Sequence, residues 1–143
     1  MKKLYTANAT TIAGREGHTE TDDKKIVLDL AAPGSSKPGS NPEQLFACGY
    51  SACFGSAIGA VAKKENVTIE EIKVQASVDL NMDDEGGYFI AATLNVSLKG
   101  VDAETAQHLV EKAHHVCPYS KATRGNIEVT LKVNDTEISA KAA

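Results

Sequence analysis

The sequence predicts an α+β fold on three observations. Two long arms of period-two apolar alternation flank an acidic, glycine-containing turn, a charge-free stretch opens on a helix-start signal, and a second amphipathic segment stops at a proline. Strands grouped around two helices, without regular strand–helix alternation, belong to the α+β class. One domain over residues 1–143 is expected, with antiparallel sheets around two main helices and enough chain to bury a substantial core.

The first strand is expected between Leu4 and Ile12, where small and β-branched residues dominate. Gly14 to Gly17 supplies a turn, His18 to Thr21 a second strand, Asp22-Asp23 another turn and Ile26 to Leu30 a third strand, making an N-terminal antiparallel sheet. Pro33 to Ser40 is a loop by composition. Asn41 then stands at a candidate N-cap with Pro42 at the first helical position. Asparagine accepts from an orphan N–H, and proline has none to leave unpaired. This helix is expected from about Asn41 to Lys64. From Gln44 to Ala62 it is apolar or small on nearly every face, the pattern of a helix buried in a core. A charge-free run of this length also suits a membrane span, but Gln44, Tyr50, Ser51, Ser56 and three glycines make a poor one. Gly55 and Gly59, four positions apart, would let another element approach closely.

Ile72, Val74, Ala76, Val78 and Leu80 alternate with mostly polar neighbours, as do Ile90, Ala92, Leu94, Val96 and Leu98 beyond the turn from Asp83 to Gly87. Both arms together read as a long hairpin with one buried face. Asp102 is placed to cap a second helix whose apolar stripe is Ala106, Leu109, Val110, Ala113 and Cys117. Pro118 disfavours helical geometry at the residue before it, which puts Cys117 at or near the helix end. Ile127, Val129, Leu131 and Val133 alternate as a final strand, and the tail to Ala143 is expected to be loose.

Net charge is −4 with no Lys/Arg cluster, which argues against a nucleic-acid partner. Met1-Lys2-Lys3 is not followed by an apolar region, so no secretory signal is read there. Three cysteines, an odd number, make a structural disulfide framework unexpected and a reducing cytoplasm the better match. Only Arg15 and Arg124 among fifteen basic residues are arginine, and both adjoin glycine. That economy suits positions needing a planar, permanently charged fork, although chance in a lysine-rich chain explains it as well.

Cys53 lies about ten residues into the first helix, beyond reach of the N-terminal dipole, so a reactive thiolate there would need activation from outside the helix. Cys53 and Cys117 can meet only through the fold, as a redox pair or as two ordinary core cysteines. Cys48 is turned roughly 140° from Cys53 around the helix and reads as a small core hydrophobe. His114-His115-Val116-Cys117 has the spacing of half a zinc site, but no matching half appears and no metal is expected. Glu43, in the first helical turn, suits the dipole on structural grounds alone.

Taken together, Asn41 to Phe54 and Cys117-Pro118-Tyr119-Ser120-Lys121-Ala122-Thr123-Arg124-Gly125-Asn126 closely resemble the organic hydroperoxide resistance (Ohr) branch of the Ohr/OsmC family. The resemblance runs over essentially the whole chain. It implies an OsmC-like α+β fold in an intertwined homodimer, and a bacterial thiol peroxidase acting on organic hydroperoxides, fatty-acid hydroperoxides included. By position, Cys53 resembles the peroxidatic cysteine, Cys117 the resolving cysteine, and Arg15 with Glu43 the activating pair. Cys48 stands where many relatives are expected to have alanine. No bound cofactor is implied; the reductant would be an external dithiol, a lipoyl group on a protein. Phe54 and Tyr119, each next to a cysteine motif, are candidates to line an apolar substrate pocket.

Glu43 and Cys53 are ten residues apart, about 15 Å along one helix. One subunit therefore cannot readily bring its own Glu43 to its own Cys53, and the expectation is a site at the dimer interface with Arg15 and Glu43 from the partner. Two alternatives stand beside this reading: a redox sensor whose Cys53–Cys117 disulfide switches a surface, and the sister OsmC branch with other substrate and reductant preferences. No basic patch supports the former. The early Gly-Arg turn and the Cys117 motif favour the Ohr branch over the latter.

Overall fold

The computed structural model describes residues 1–139. The chain forms two compact units, Met1–Leu45 and Phe46–Ala143. In the first, β1 (Ala9–Ile12), β2 (His18–Thr21) and β3 (Val27–Asp29) make a three-stranded sheet in the order β1-β2-β3. Both pairings are antiparallel, with Ile12 opposite His18 and His18 opposite Asp29. The first strand is shorter than the Leu4 to Ile12 span expected. Between β1 and β2 the chain makes a single 3-10 turn, Gly14–Glu16, entered through a left-handed Ala13. Gly17 is required where the chain returns, because a Cβ there would lie 1.7 Å from the Ile12 carbonyl oxygen.

Helix α1 (Pro42–Lys64) starts as its sequence dictates. The Asn41 side chain accepts from the Gln44 N–H at 2.9 Å, and the Gln44 side chain accepts from the Asn41 N–H at 3.2 Å. This reciprocal capping box satisfies two backbone donors at once. Within the second unit, α1 buries Tyr50, Phe54, Ala57, Ile58, Val61 and Ala62. The expectation of burial on every face does not hold: Cys48, Ala52, Ser56 and Ala60 are exposed. Apolar periodicity cannot show which faces a single chain covers. Here one face meets the core and the opposite, small-residue face is open.

The core closes against a four-stranded sheet in the order β4-β5-β6-β7, built from β4 (Glu71–Met82), β5 (Tyr88–Lys99), β6 (Val129–Val133) and β7 (Thr136–Ile138). The β4–β5 hairpin keeps the expected register, with Val74 opposite Val96 and Ala76 opposite Leu94. Ala92, Leu94, Val96 and Leu98 are buried, and Ile72, Val74, Ala76 and Val78 pack against the same cluster half-buried, since β4 lies at the sheet edge. The sheet is mixed rather than wholly antiparallel, because β6 runs parallel to β5. The long helical crossover between them permits that arrangement, which a tight turn cannot make.

That crossover holds α2 (Ala103–Val116) and α3 (Pro118–Thr123). Asp102 caps α2 by accepting from the Thr105 N–H at 2.7 Å. The apolar stripe of Ala106, Leu109, Val110, Ala113 and Cys117 is buried as expected. The six-residue α3 was not anticipated, nor was β7 in a tail expected to be loose. Asn134 and Asp135, with φ of 47° and 66°, form the left-handed two-residue turn that returns β7 antiparallel to β6. The rest of that tail, 140–143, lies outside the described residues.

Candidate active site

Two groups of expected site residues are assembled, one in each unit. In the first, the 3-10 turn after β1 presents Arg15, and the opening turn of α1 presents Glu43. Their side chains form a bidentate pair, Nη1 to Oε2 at 2.9 Å and Nη2 to Oε1 at 2.6 Å. Arg15 keeps 51% of its side chain exposed while Glu43 keeps 13%, so the carboxylate anchors a guanidinium that still faces outward. The bond to Arg15 holds the Glu43 carboxyl below the usual carboxylate range, against a smaller opposing effect of burial.

In the second unit, α1 carries Cys53 and the junction of α2 and α3 carries Cys117. Cys53 follows buried Tyr50 by three positions and so borders the core face of the helix. Cys117 is extended at φ −60° and ψ 125°, as proline at the next position requires. Its N–H still bonds the Ala113 carbonyl at 2.9 Å, and Pro118 opens α3 at a position where no N–H is missed. The fully buried Cys117 thiol donates to the half-buried Cys53 sulfur at 3.4 Å. Burial pushes the Cys53 thiol above its ordinary pKa. The Tyr119 backbone N–H pulls the other way, and the neighbouring Cys117 adds to the rise. Among the described residues of this unit, the net effect on Cys53 favours the thiol over the thiolate.

Cys48 is exposed, which corrects its reading as a small core hydrophobe. It lies on the small-residue face of α1, which the core of this unit does not cover. Phe54 has no accessible surface and stacks edge-on against Tyr50 in the core. Tyr119 is exposed and lines an apolar cleft of about 380 Å³ with Phe46, Ile90 and Ile127. Phe54 does not line that cleft, whereas Phe46, one helical turn before Tyr50, does.

Sequence reasoning missed a buried polar cluster behind Cys117. Tyr50 Oη lies 3.0 Å from Ser120 Oγ and 3.3 Å from Thr123 Oγ1, while His114 Nδ1 lies 3.0 Å from Ser120 Oγ. Arg124 donates from Nη2 to the His114 carbonyl at 2.6 Å. His114, half of the zinc spacing considered above, is thus engaged by a serine, and burial lowers its pKa. Arg124 was singled out by composition, but its partner was not legible.

The chain matches the model of the OsmC-like protein family over residues 33–132. It is 47% identical over 134 residues to the organic hydroperoxide resistance protein OhrB of Bacillus subtilis, covering 91% of this chain and 98% of that one. Against the organic hydroperoxide resistance protein of Xanthomonas axonopodis pv. citri, identity is 46% over 135 residues, with 91% and 94% covered. The crystal structure of B. subtilis OhrB superposes with a TM-score of 0.87 at 46% identity, covering 92% and 99% of the two chains. An organic hydroperoxide resistance protein from Legionella pneumophila gives 0.88 at 44% identity, with 92% and 98% covered. With the family model matched over most of the chain and relatives of this identity matched nearly end to end, the chain belongs to the OsmC-like family, in its organic hydroperoxide resistance branch.

Proposed function

We propose that this protein is a thiol-dependent peroxidase that reduces organic hydroperoxides to alcohols and protects a bacterial cytoplasm against oxidative stress. The observation that carries the proposal is the 3.4 Å approach of the Cys53 and Cys117 sulfurs, two residues 64 positions apart in sequence. Two reduced thiols in van der Waals contact need only close to about 2.04 Å to form a disulfide. The names of the relatives supply the substrate class.

In the proposed cycle, the Cys53 thiolate attacks the distal peroxide oxygen. The O–O bond breaks, the hydroxyl stays on sulfur as the sulfenic acid, and the departing alkoxide takes up the proton the thiol gave up on ionising and leaves as the alcohol. Cys117 attacks that sulfur, forming the disulfide and releasing water. An external dithiol, a protein-bound lipoyl group in this reading, restores both thiols by exchange. Without a cation at hand, burial would leave Cys53 protonated at neutral pH. Arg15 suits the role of that cation, being permanently charged, half exposed and held in orientation by Glu43. The helix spacing of Glu43 and Cys53, about 15 Å, favours supply of that pair by the second subunit of a homodimer. The open small-residue face of α1, with Ser51, Ala52, Gly55 and Ser56 beside Ile72 and Val74, supports a close-packed neighbour of that kind. The apolar cleft at Tyr119 suits the body of a bulky or fatty-acid hydroperoxide.

The test is consumption of cumene hydroperoxide and of hydrogen peroxide with dihydrolipoamide as reductant. Faster consumption of the organic peroxide, abolished in Cys53→Ser, supports the proposal. A wild type that forms the disulfide but never turns over with any dithiol would instead favour the redox-sensor reading.

A further inference from the structure

Helix α3 is held in an unusual way. It has six residues, and the two it buries are Ser120 and Thr123, both hydroxylic. A short helix normally docks by an apolar face; this one adds buried hydroxyl hydrogen bonds to the packing of its Tyr119 ring against Phe46 and Tyr50. Ser120 has no accessible surface and is reached from two other helices, by Tyr50 of α1 and by His114 of α2, each at 3.0 Å. Tyr50 also reaches Thr123 at 3.3 Å, and the Thr123 hydroxyl turns back to the Ser120 carbonyl at 3.2 Å. Arg124, just past the end of α3, ties the chain to the C-terminal turn of α2 through the His114 carbonyl. Among the described residues, every buried side-chain nitrogen or oxygen has a partner. The cluster is therefore fully satisfied, the condition under which a buried polar network fixes one geometry.

Cys117 sits where this fixing acts. It is at once the C-cap of α2 and the N-cap of α3, three residues before Ser120. Any shift of α3 along α1 or α2 moves its sulfur relative to Cys53. A second feature sets the same register. The Tyr119 ring lies over Gly49, where a Cβ would stand 2.5 Å from the Tyr119 hydroxyl, so a larger residue there would displace the ring from its present seat on α1. Apolar contact tolerates sliding, whereas directional hydroxyl bonds and a ring seated in a glycine notch do not.

We propose that the Tyr50–Ser120–Thr123 hydroxyl cluster, tied to His114, positions Cys117 so that disulfide closure outruns a second oxidation of Cys53. The inference rests on the peroxidase reading above and deepens it. Once Cys53 is a sulfenic acid, two reactions compete. Attack by Cys117 forms the S–S bond, breaks the S–O bond and releases water made from the sulfenic hydroxyl and the Cys117 proton. Attack of the sulfenic sulfur on a second hydroperoxide breaks its O–O bond, takes up one oxygen to give a sulfinic acid and releases another alcohol. The first is intramolecular, and its advantage depends on holding two sulfurs at near-attack distance. A misplacement of about 1 Å can cost ~10²-fold. Tyr50 and Ser120 touch neither the peroxide nor the reacting sulfurs in this scheme, and Thr123, which also borders the Tyr119 cleft, stays off the reacting atoms. They are positioning residues.

The experiment compares wild type with Tyr50→Phe, Ser120→Ala, Thr123→Val and Thr123→Ser. Reduced protein is titrated with cumene hydroperoxide, and the disulfide and sulfinic forms are separated by mass. Tyr50→Phe and Ser120→Ala should shift half-maximal sulfinic formation to at least ~10-fold lower peroxide. Thr123→Val should shift it less, and Thr123→Ser, which keeps the hydroxyl, should restore the wild-type partition. In a Cys117→Ser background, the rate of sulfenic acid formation should be the same with and without Tyr50→Phe, a result that general loosening of the fold would not give. Diamide, an azodicarboxamide that takes two electrons from a dithiol without a sulfenic acid, probes placement by itself. The variants should close the disulfide with it ~10-fold more slowly than wild type even if the wild type proved inert to peroxides, so the two readings fail separately. An unchanged sulfinic partition and diamide rate in Ser120→Ala would overturn the proposal. So would a parallel fall in sulfenic acid formation, which would make the cluster merely structural.

Discussion

Replacing Arg15 by alanine should disable the peroxide step without touching either cysteine. An ordinary thiol titrates near 8.5 and is about 3% thiolate at pH 7. Burial pushes Cys53 above its ordinary value, so the fraction without outside help is smaller still. If Arg15 is what ionises it, Arg15→Ala loses at least ~30-fold from ionisation alone. Loss of N–H donors to the peroxide oxygens extends the expected deficit toward ~10³-fold. Stopped-flow measurement of Cys53 oxidation by cumene hydroperoxide reads this directly. The wild-type rate should level off near neutral pH, while the variant's rate should climb with pH into the alkaline range, as an unassisted thiol does. Mixing adds a sharper test, because Arg15→Ala supplies an intact Cys53 and Cys53→Ser an intact Arg15. If the site is shared between subunits, a mixed dimer of the two has one complete site, and random exchange should restore about a quarter of wild-type activity. An Arg15→Ala rate within about threefold of wild type, with the same pH profile, would refute the reasoning about activation. A mixture that stays inactive despite subunit exchange would refute the sharing of the site.

Other predictions concern the parts around this step. The Glu43 carboxyl is held low by Arg15, so its contribution to stability is present above the usual carboxylate value near 4.5 and is lost as pH falls through the lower folded value. The Tm difference between wild type and Glu43→Gln should accordingly be constant through neutral pH and close in acid. Leu109, fully buried in the core cluster, should cost about 2–5 kcal/mol on replacement by alanine, measured by urea unfolding. Cys48→Ser should leave both the disulfide and turnover unchanged, as judged by mass mapping and the peroxide assay, since Cys48 is exposed and turned roughly 140° from Cys53 around α1.

Where the sequence was legible, one chain's own local physics decided the outcome. The Asp102 cap, the α2 stripe and the hairpin register each follow from periodicity or from a single side chain near its backbone partner. The cysteine pair becomes readable through the resemblance to a family, since the residues alone favour two ordinary core cysteines. The missed features share a different origin. Six residues give α3 too little length to show a helical period, and Ser120 and Thr123 look like surface residues until Tyr50, 70 and 73 positions away, closes over them. The β7 turn carries a signal, Asn134-Asp135 directly after the alternating run of β6, but only three strand residues follow it, too few to show a period. The burial of α1 was overread because an all-apolar helix does not reveal whether its own chain or another covers each face.

One pair of sulfurs carries the proposed chemistry, and its oxidation can be read directly. Reduced protein treated with one equivalent of cumene hydroperoxide, quenched with an alkylating agent and mapped by mass spectrometry, should yield one equivalent of cumyl alcohol and a single disulfide joining Cys53 to Cys117, with Cys48 alkylated. Three alkylated cysteines with the peroxide unconsumed, or a disulfide running through Cys48, would contradict it.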